Sequence, residues 1–192
     1  MHNYFKGQPR LLKQSGFSLI ELLLVMAVIA ALAVAAFIIY PRVQAGRAAT
    51  GEADIIAAAQ TSAKSLFTTS NYNGLTSLVA AQANFFPASM LDTPPTTITN
   101  EWGGVVSMFA SDVTGSAVPT GPTNFFTITY PSVPYDVCQK LLPALISNVG
   151  GVRIGGTVIQ DTLSPTQVPF SAALVASNCG STGTVTLTLT SN

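Results

Sequence analysis

The sequence predicts an α+β fold: a long amino-terminal helix, apolar in its first half and amphipathic in its second, packed on a carboxy-terminal antiparallel sheet. Three observations carry this. Leu22 to Tyr40 form a run of 19 residues without a charge. Beyond it, "EADIIAAAQTSAKSLF" places Ile55, Ala59, Ala63, Leu66 and Phe67 at steps of three and four, one stripe of a helix. Near the end, "TVTLTLTS" alternates Val185, Leu187 and Leu189 with threonine, the period of a half-buried strand.

Composition sets the frame. The 192 residues suffice for one ordinary domain with an appendage. Only 8% are charged and 48% hydrophobic, against roughly a quarter charged in typical soluble chains. The surface is therefore polar through Thr, Ser and Gly rather than through charge, which excludes recognition of nucleic acid or acidic lipid by bulk charge. Lys6, Arg10 and Lys13 all precede Gly16; removing that segment would leave five basic and eight acidic side chains, a net charge of about −3.

As a helix, the apolar run reaches about 28 Å, close to the roughly 30 Å hydrocarbon core of a bilayer. It is long enough to span. Three basic residues precede it, whereas Arg42 and Arg47 follow it alongside Glu52 and Asp54, so the charge bias favours a cytoplasmic amino terminus and an outward-facing remainder. Cys138 and Cys179 agree with an oxidising compartment.

One residue does not fit a plain anchor. Glu21 places a carboxylate at the start of the apolar run, and an intramembrane carboxylate calls for a partner. It could snorkel to the interface. Alternatively, cleavage between Gly16 and Phe17 would create an amine four residues before it, on the same helix face. Between staggered neighbouring helices, such an amine and carboxylate would pair, set the axial register and neutralise each other.

Further along, Pro41 lacks an amide donor and is a candidate kink, with Gly46 and Gly51 weakening the next two turns. "TSNYNG" ends the helix near residue 70. A weak helical pattern in "TSLVAAQANFF" leads to a loop at "DTPPTT". Strands are expected in "GVVSMFA", "NFFTITY", "VRIGGTVI" and "TVTLTLTS". Between the second and third, "SVPYDVCQKLLPALISNVGG" reads as a helix capped by Ser132, with Pro134 in its first turn, Pro143 bending its middle and Gly150-Gly151 stopping it.

The segment "SGFSLIELLLVMAVIAALA" resembles the prepilin signature of type IV pilins: a basic leader ending in glycine, an aromatic residue, and a glutamate in an apolar helix. The resemblance implies the type IV pilin fold, cleavage after Gly16 by a prepilin peptidase, N-methylation of Phe17 and a docking role for Glu21. The head is similar to the type IVb subclass in "ITNEWGGVV", "VPYDVCQKL" and "ASNCGSTGTVTLTL", and in its long leader. Phe17 departs from the subclass, which more often begins with another apolar residue. By the same resemblance Cys138 and Cys179 pair, enclosing residues 138–179 on the exposed face of the head.

The expected organisation is a leader over 1–16, a transmembrane or filament-core half over 17–40, an amphipathic half over 41–70, and a globular head over 71–192. The implied function is that of a pilus subunit. It would wait in the bacterial inner membrane, meet the pilus assembly platform, and polymerise as a homo-oligomeric helical filament outside the cell for adhesion, aggregation or conjugation. Alternatives are a minor pilin, a pseudopilin of a type II secretion system, or a membrane-anchored binding protein that keeps its leader.

An enzyme is not expected. The sole histidine, His2, lies in the leader, so the mature chain has no imidazole for a triad or a metal. Asp136, Lys140 and Asp161 are ordinary surface charges, and Trp102 a core anchor. Gly103-Gly104 and Gly155-Gly156 lack phosphate-loop spacing and read as turns or bulges. Two cysteines are too few for a metal site, and no cofactor is implied.

Overall fold

In a computed structural model, the structure describes residues 18–69, 71–115 and 123–192. Helix α1 runs Leu19–Leu66, ending short of residue 70. The chain divides after Pro41 into two units, which are taken separately.

In the first unit, α1 is apolar on every side. In the second, one side of α1 is covered by the head, and the buried line is Ala45, Ala49, Glu52, Ala53, Ile56, Ala59, Gln60 and Ala63. This corrects the sequence reading in part. Ala59 and Ala63 are on the buried side, but Ile56 rather than Ile55 occupies its centre and Leu66 is 53% exposed. The covered side is chosen by small residues, which let the helix axis approach the sheet. Tyr72 pins the turn after the helix, its ring centroid 5.7 Å from that of Phe67 and 4.7 Å from that of Phe126.

Helix α2 (Ser77–Gln82) is capped by Thr76, whose hydroxyl accepts the Val79 N–H at 3.3 Å. Six antiparallel strands follow: β1 (Ile98–Thr99), β2 (Val105–Ser111), β3 (Phe125–Pro134), β4 (Gly151–Ile154), β5 (Thr157–Asp161) and β6 (Thr184–Ser191). Their order is β1-β2-β3-β6-β4-β5. The carboxy-terminal strand thus lies in the middle, where β3 and β4 both pair with it. Its pairing register aligns Met108, Ile128, Leu189 and Val152 across four strands, all buried in one core with Ile56 and Ala59 of α1.

Three expectations are corrected. "VRIGGTVI" is a hairpin, not one strand: Gly155 and Gly156 take φ of +55° and +100°, the left-handed values that a two-residue connection needs. Ser132 does not cap a helix. It sits in β3 at φ +61°, inside the irregularity between Tyr130 and Val133, and helix α3 (Tyr135–Leu145) starts after Pro134 without a side-chain cap. Nor do Gly150-Gly151 stop that helix, which ends at Leu145 with Pro143 in its last turn. Helix α4 (Ala172–Cys179), capped by Ser171, was not foreseen. Its apolar residues are too few for a clear period, and the Ser171 hydroxyl accepting the Leu174 N–H at 3.3 Å was its one local signal.

Candidate functional site

Gly16 and Phe17 lie outside the described residues. The α1 backbone begins just after them, with the Ser18 carbonyl accepting the N–H groups of Glu21 and Leu22 at 3.0 and 3.2 Å. Glu21 therefore stands in the first helical turn, where a carboxylate interacts favourably with the helix dipole. From Leu19 to Tyr40 the large apolar side chains are 46% to 79% exposed, the extremes being Val25 and Phe37. Apolar surface on this scale requires a non-aqueous neighbour. The helix continues through Pro41, Gly46 and Gly51.

The head grips the second half of α1 through a buried polar anchor. Glu52, 4% exposed, accepts a hydrogen bond from the Tyr130 hydroxyl, which also lies 3.9 Å from the Met90 sulfur. Burial raises the Glu52 carboxyl above the usual carboxylate range, opposed by hydrogen bonds from Tyr130 and the Glu101 backbone. Burial, then the Glu52 contact, pushes the Tyr130 phenol up. Neither residue was singled out as an anchor from the sequence. The available signal was position: Glu52 falls between Ala49 and Ile56 on the small-residue line.

Beside it, the motif "NEWGG" has a mechanical role. Buried Asn100 donates through its amide nitrogen to the Pro131 carbonyl at 2.6 Å, while its amide oxygen accepts the N–H groups of Trp102 and Gly104 at 3.1 and 2.7 Å. The turn requires φ +76° at Gly103, and a Cβ on Gly104 would stand 2.5 Å from the Pro131 carbonyl oxygen. Asparagine and both glycines thus fasten the entry of β2 to β3. Trp102 packs half-buried against the core.

Cys138 of α3 and Cys179 at the end of α4 form a disulfide, their Cα atoms 5.8 Å apart and both side chains buried. The Gln139 amide donates to the Gly180 carbonyl at 3.0 Å, reinforcing the same junction. Asp136, Lys140 and Asp161 do not converge, and Asp161 is buried, not the surface charge expected. Asp136 accepts the Val137 N–H, Lys140 donates to the Arg42 carbonyl, and Asp161 pairs with Arg153 at 3.7 Å.

A helix left uncovered over one half and laid on an antiparallel sheet over the other, with a disulfide closing the head, defines the class of a type IV pilin. The prokaryotic N-terminal methylation motif matches residues 11–37, and the family pattern described as PilS N terminal matches residues 47–192. The chain belongs to the PilS family.

Among solved structures, the crystal structure of type IV b pilin from Salmonella typhi is 23% identical, with a TM-score of 0.56, over 74% of this chain and 99% of that one. TcpA, a type IV pilin from Vibrio cholerae El Tor biotype, is 14% identical, with a TM-score of 0.54, over 76% of this chain and 99% of that one. At these identities the likeness concerns the fold. No curated protein sequence is significantly similar to the chain.

Proposed function

We propose that this pilin is the processed structural subunit of a type IVb pilus. Residues 1–16 act as a leader that prepilin peptidase removes after Gly16, and Phe17 becomes the N-methylated first residue. Residues 17–40 hold the subunit in the inner membrane, amino terminus inward, until the assembly platform transfers it to the filament. Exchange of lipid for neighbouring helices keeps the apolar side chains out of water throughout. Glu21 pairs with the amine of a neighbouring copy during docking, and Pro41, with Gly46 and Gly51 after it, is where α1 kinks.

The observation that carries this reading is the uncovered apolar half of α1, most of which falls within the matching methylation motif over residues 11–37. Intact-mass and amino-terminal analysis of material sheared from cells tests it. A chain beginning at methylated Phe17 and dominating the sheared fraction is expected. A chain absent from that fraction and still beginning at Met1 would overturn it in favour of a membrane-anchored protein.

A further inference from the structure

Of the seven exposed charges among the described residues of Arg42–Asn192, Arg47 and Asp54 lie on the outward side of α1, and the other five fall on its two flanks. Gly46 and Ile55 are nine residues apart, about two and a half turns, so they face opposite flanks of the helix.

The Gly46 flank is basic. Lys140 of α3 lies against it, donating to the Arg42 carbonyl, with its ammonium 3.9 Å from where a Gly46 Cβ would stand. Arg42 is one turn earlier on the same side. Lys64, eighteen residues beyond Gly46 and thus about five whole turns away, returns to that side. All three cations are exposed. Their acidic neighbour is half-buried Asp136, one turn before Lys140 on α3.

The Ile55 flank is acidic. Ile55 and Glu52 line a cavity of about 300 Å³ together with Ser89, Met90, Thr99, Asn100 and Glu101, the last of which is exposed. Asp92, on the same segment, is also exposed; two N–H groups and a hydroxyl from Thr96 and Thr97 stabilise its charged form. Among the described residues the ion pair formed is Arg153–Asp161, which involves neither flank.

One copy cannot bring its own two flanks together, but two copies side by side can. We propose that the basic flank of one copy, Arg42, Lys64 and Lys140, docks on the acidic segment carrying Asp92 and Glu101 in the next copy. Such a contact joins two different surfaces, so it repeats without closing and suits an open helical array. With only 8% of residues charged, few competing pairs exist, and opposite signs select the register while like signs repel. This inference rests on the filament reading and specifies its lateral contact.

The test is charge reversal in the full-length chain, in cells that carry a pilus assembly system, with sheared fibre measured by mass. Glu101→Lys and Lys64→Glu should each lower the yield about tenfold, and the double variant should recover most of it. Melting of each variant in detergent should match the parent, since both positions are exposed; Asp92→Lys replaces Glu101→Lys if that variant melts early. Parental yield from both single variants, or a double variant no better than the singles, overturns the pairing. No fibre from the parental chain overturns the filament reading and the pairing with it.

Discussion

The two halves of α1 are built from similar aliphatic stock yet meet opposite fates. Before Pro41, Leu, Ile, Val and Phe crowd every side and stay uncovered; after Arg42, alanines and one isoleucine, with Glu52 and Gln60 among them, form a narrow buried line. Hydrophobicity alone therefore does not decide what the chain buries within itself. Side-chain size and periodicity do. Small residues on one side allow the head to close on the helix, whereas bulky residues on all sides leave surface that a membrane or neighbouring helices must cover.

The sharpest way to break this comparison is Glu21→Ala in the uncovered half. Leader cleavage and head melting should be unchanged while fibres are lost; normal fibres would remove Glu21 from assembly. In the covered half, reducing the Cys138–Cys179 bridge frees a loop of 41 residues, and the head should lose about 4 kcal/mol. An unchanged melt with both thiols free would contradict that.

A matched pair sharpens the contrast. Ile56→Ala, at a fully buried position, should destabilise the head by about 2–5 kcal/mol. Ile38→Ala, at a position 61% exposed, should leave head melting untouched and act on fibre yield alone. Equal effects on melting would dissolve the distinction between the halves.

The smallest expected effect is that of Glu52→Gln. Burial raises the Glu52 carboxyl above its ordinary 4.5, so the folded chain holds this proton more tightly than the unfolded chain. Its contribution to stability is complete below the unfolded value and is lost as pH rises through the higher folded one. Stability of the parent relative to the glutamine variant should therefore fall as pH rises across the range above 4.5. Denaturant melts across that range measure it, and parallel profiles would show that Glu52 titrates as if exposed.

Much of this was legible in the sequence because it depends on local order. The uncharged run from Leu22 to Tyr40, Glu21 just before it and the alternation of "TVTLTLTS" announce a helix that can span and a strand with one buried face. The resemblance also anticipated the cysteine bridge. Periodicity did not identify the covered side of α1, because alanine fits a stripe as readily as isoleucine, and only the sheet's position selected Ile56 over Ile55. Chain order likewise did not announce that the last strand lies between β3 and β4, since strand order is a matter of distant pairing.

The sequence by itself determined that this chain carries an apolar helix, a polar head poor in charge and an N-terminal methylation motif. Those are properties of composition, spacing and short-range geometry. Only the tertiary structure decided that Glu52 would be buried against Tyr130, that Asn100 would fasten two strands, and that Lys140 would fall on one flank of α1 and the segment of Asp92 and Glu101 on the other. Each depends on residues far apart in the chain meeting in space, and a burial environment or a surface charge pattern exists only once they do.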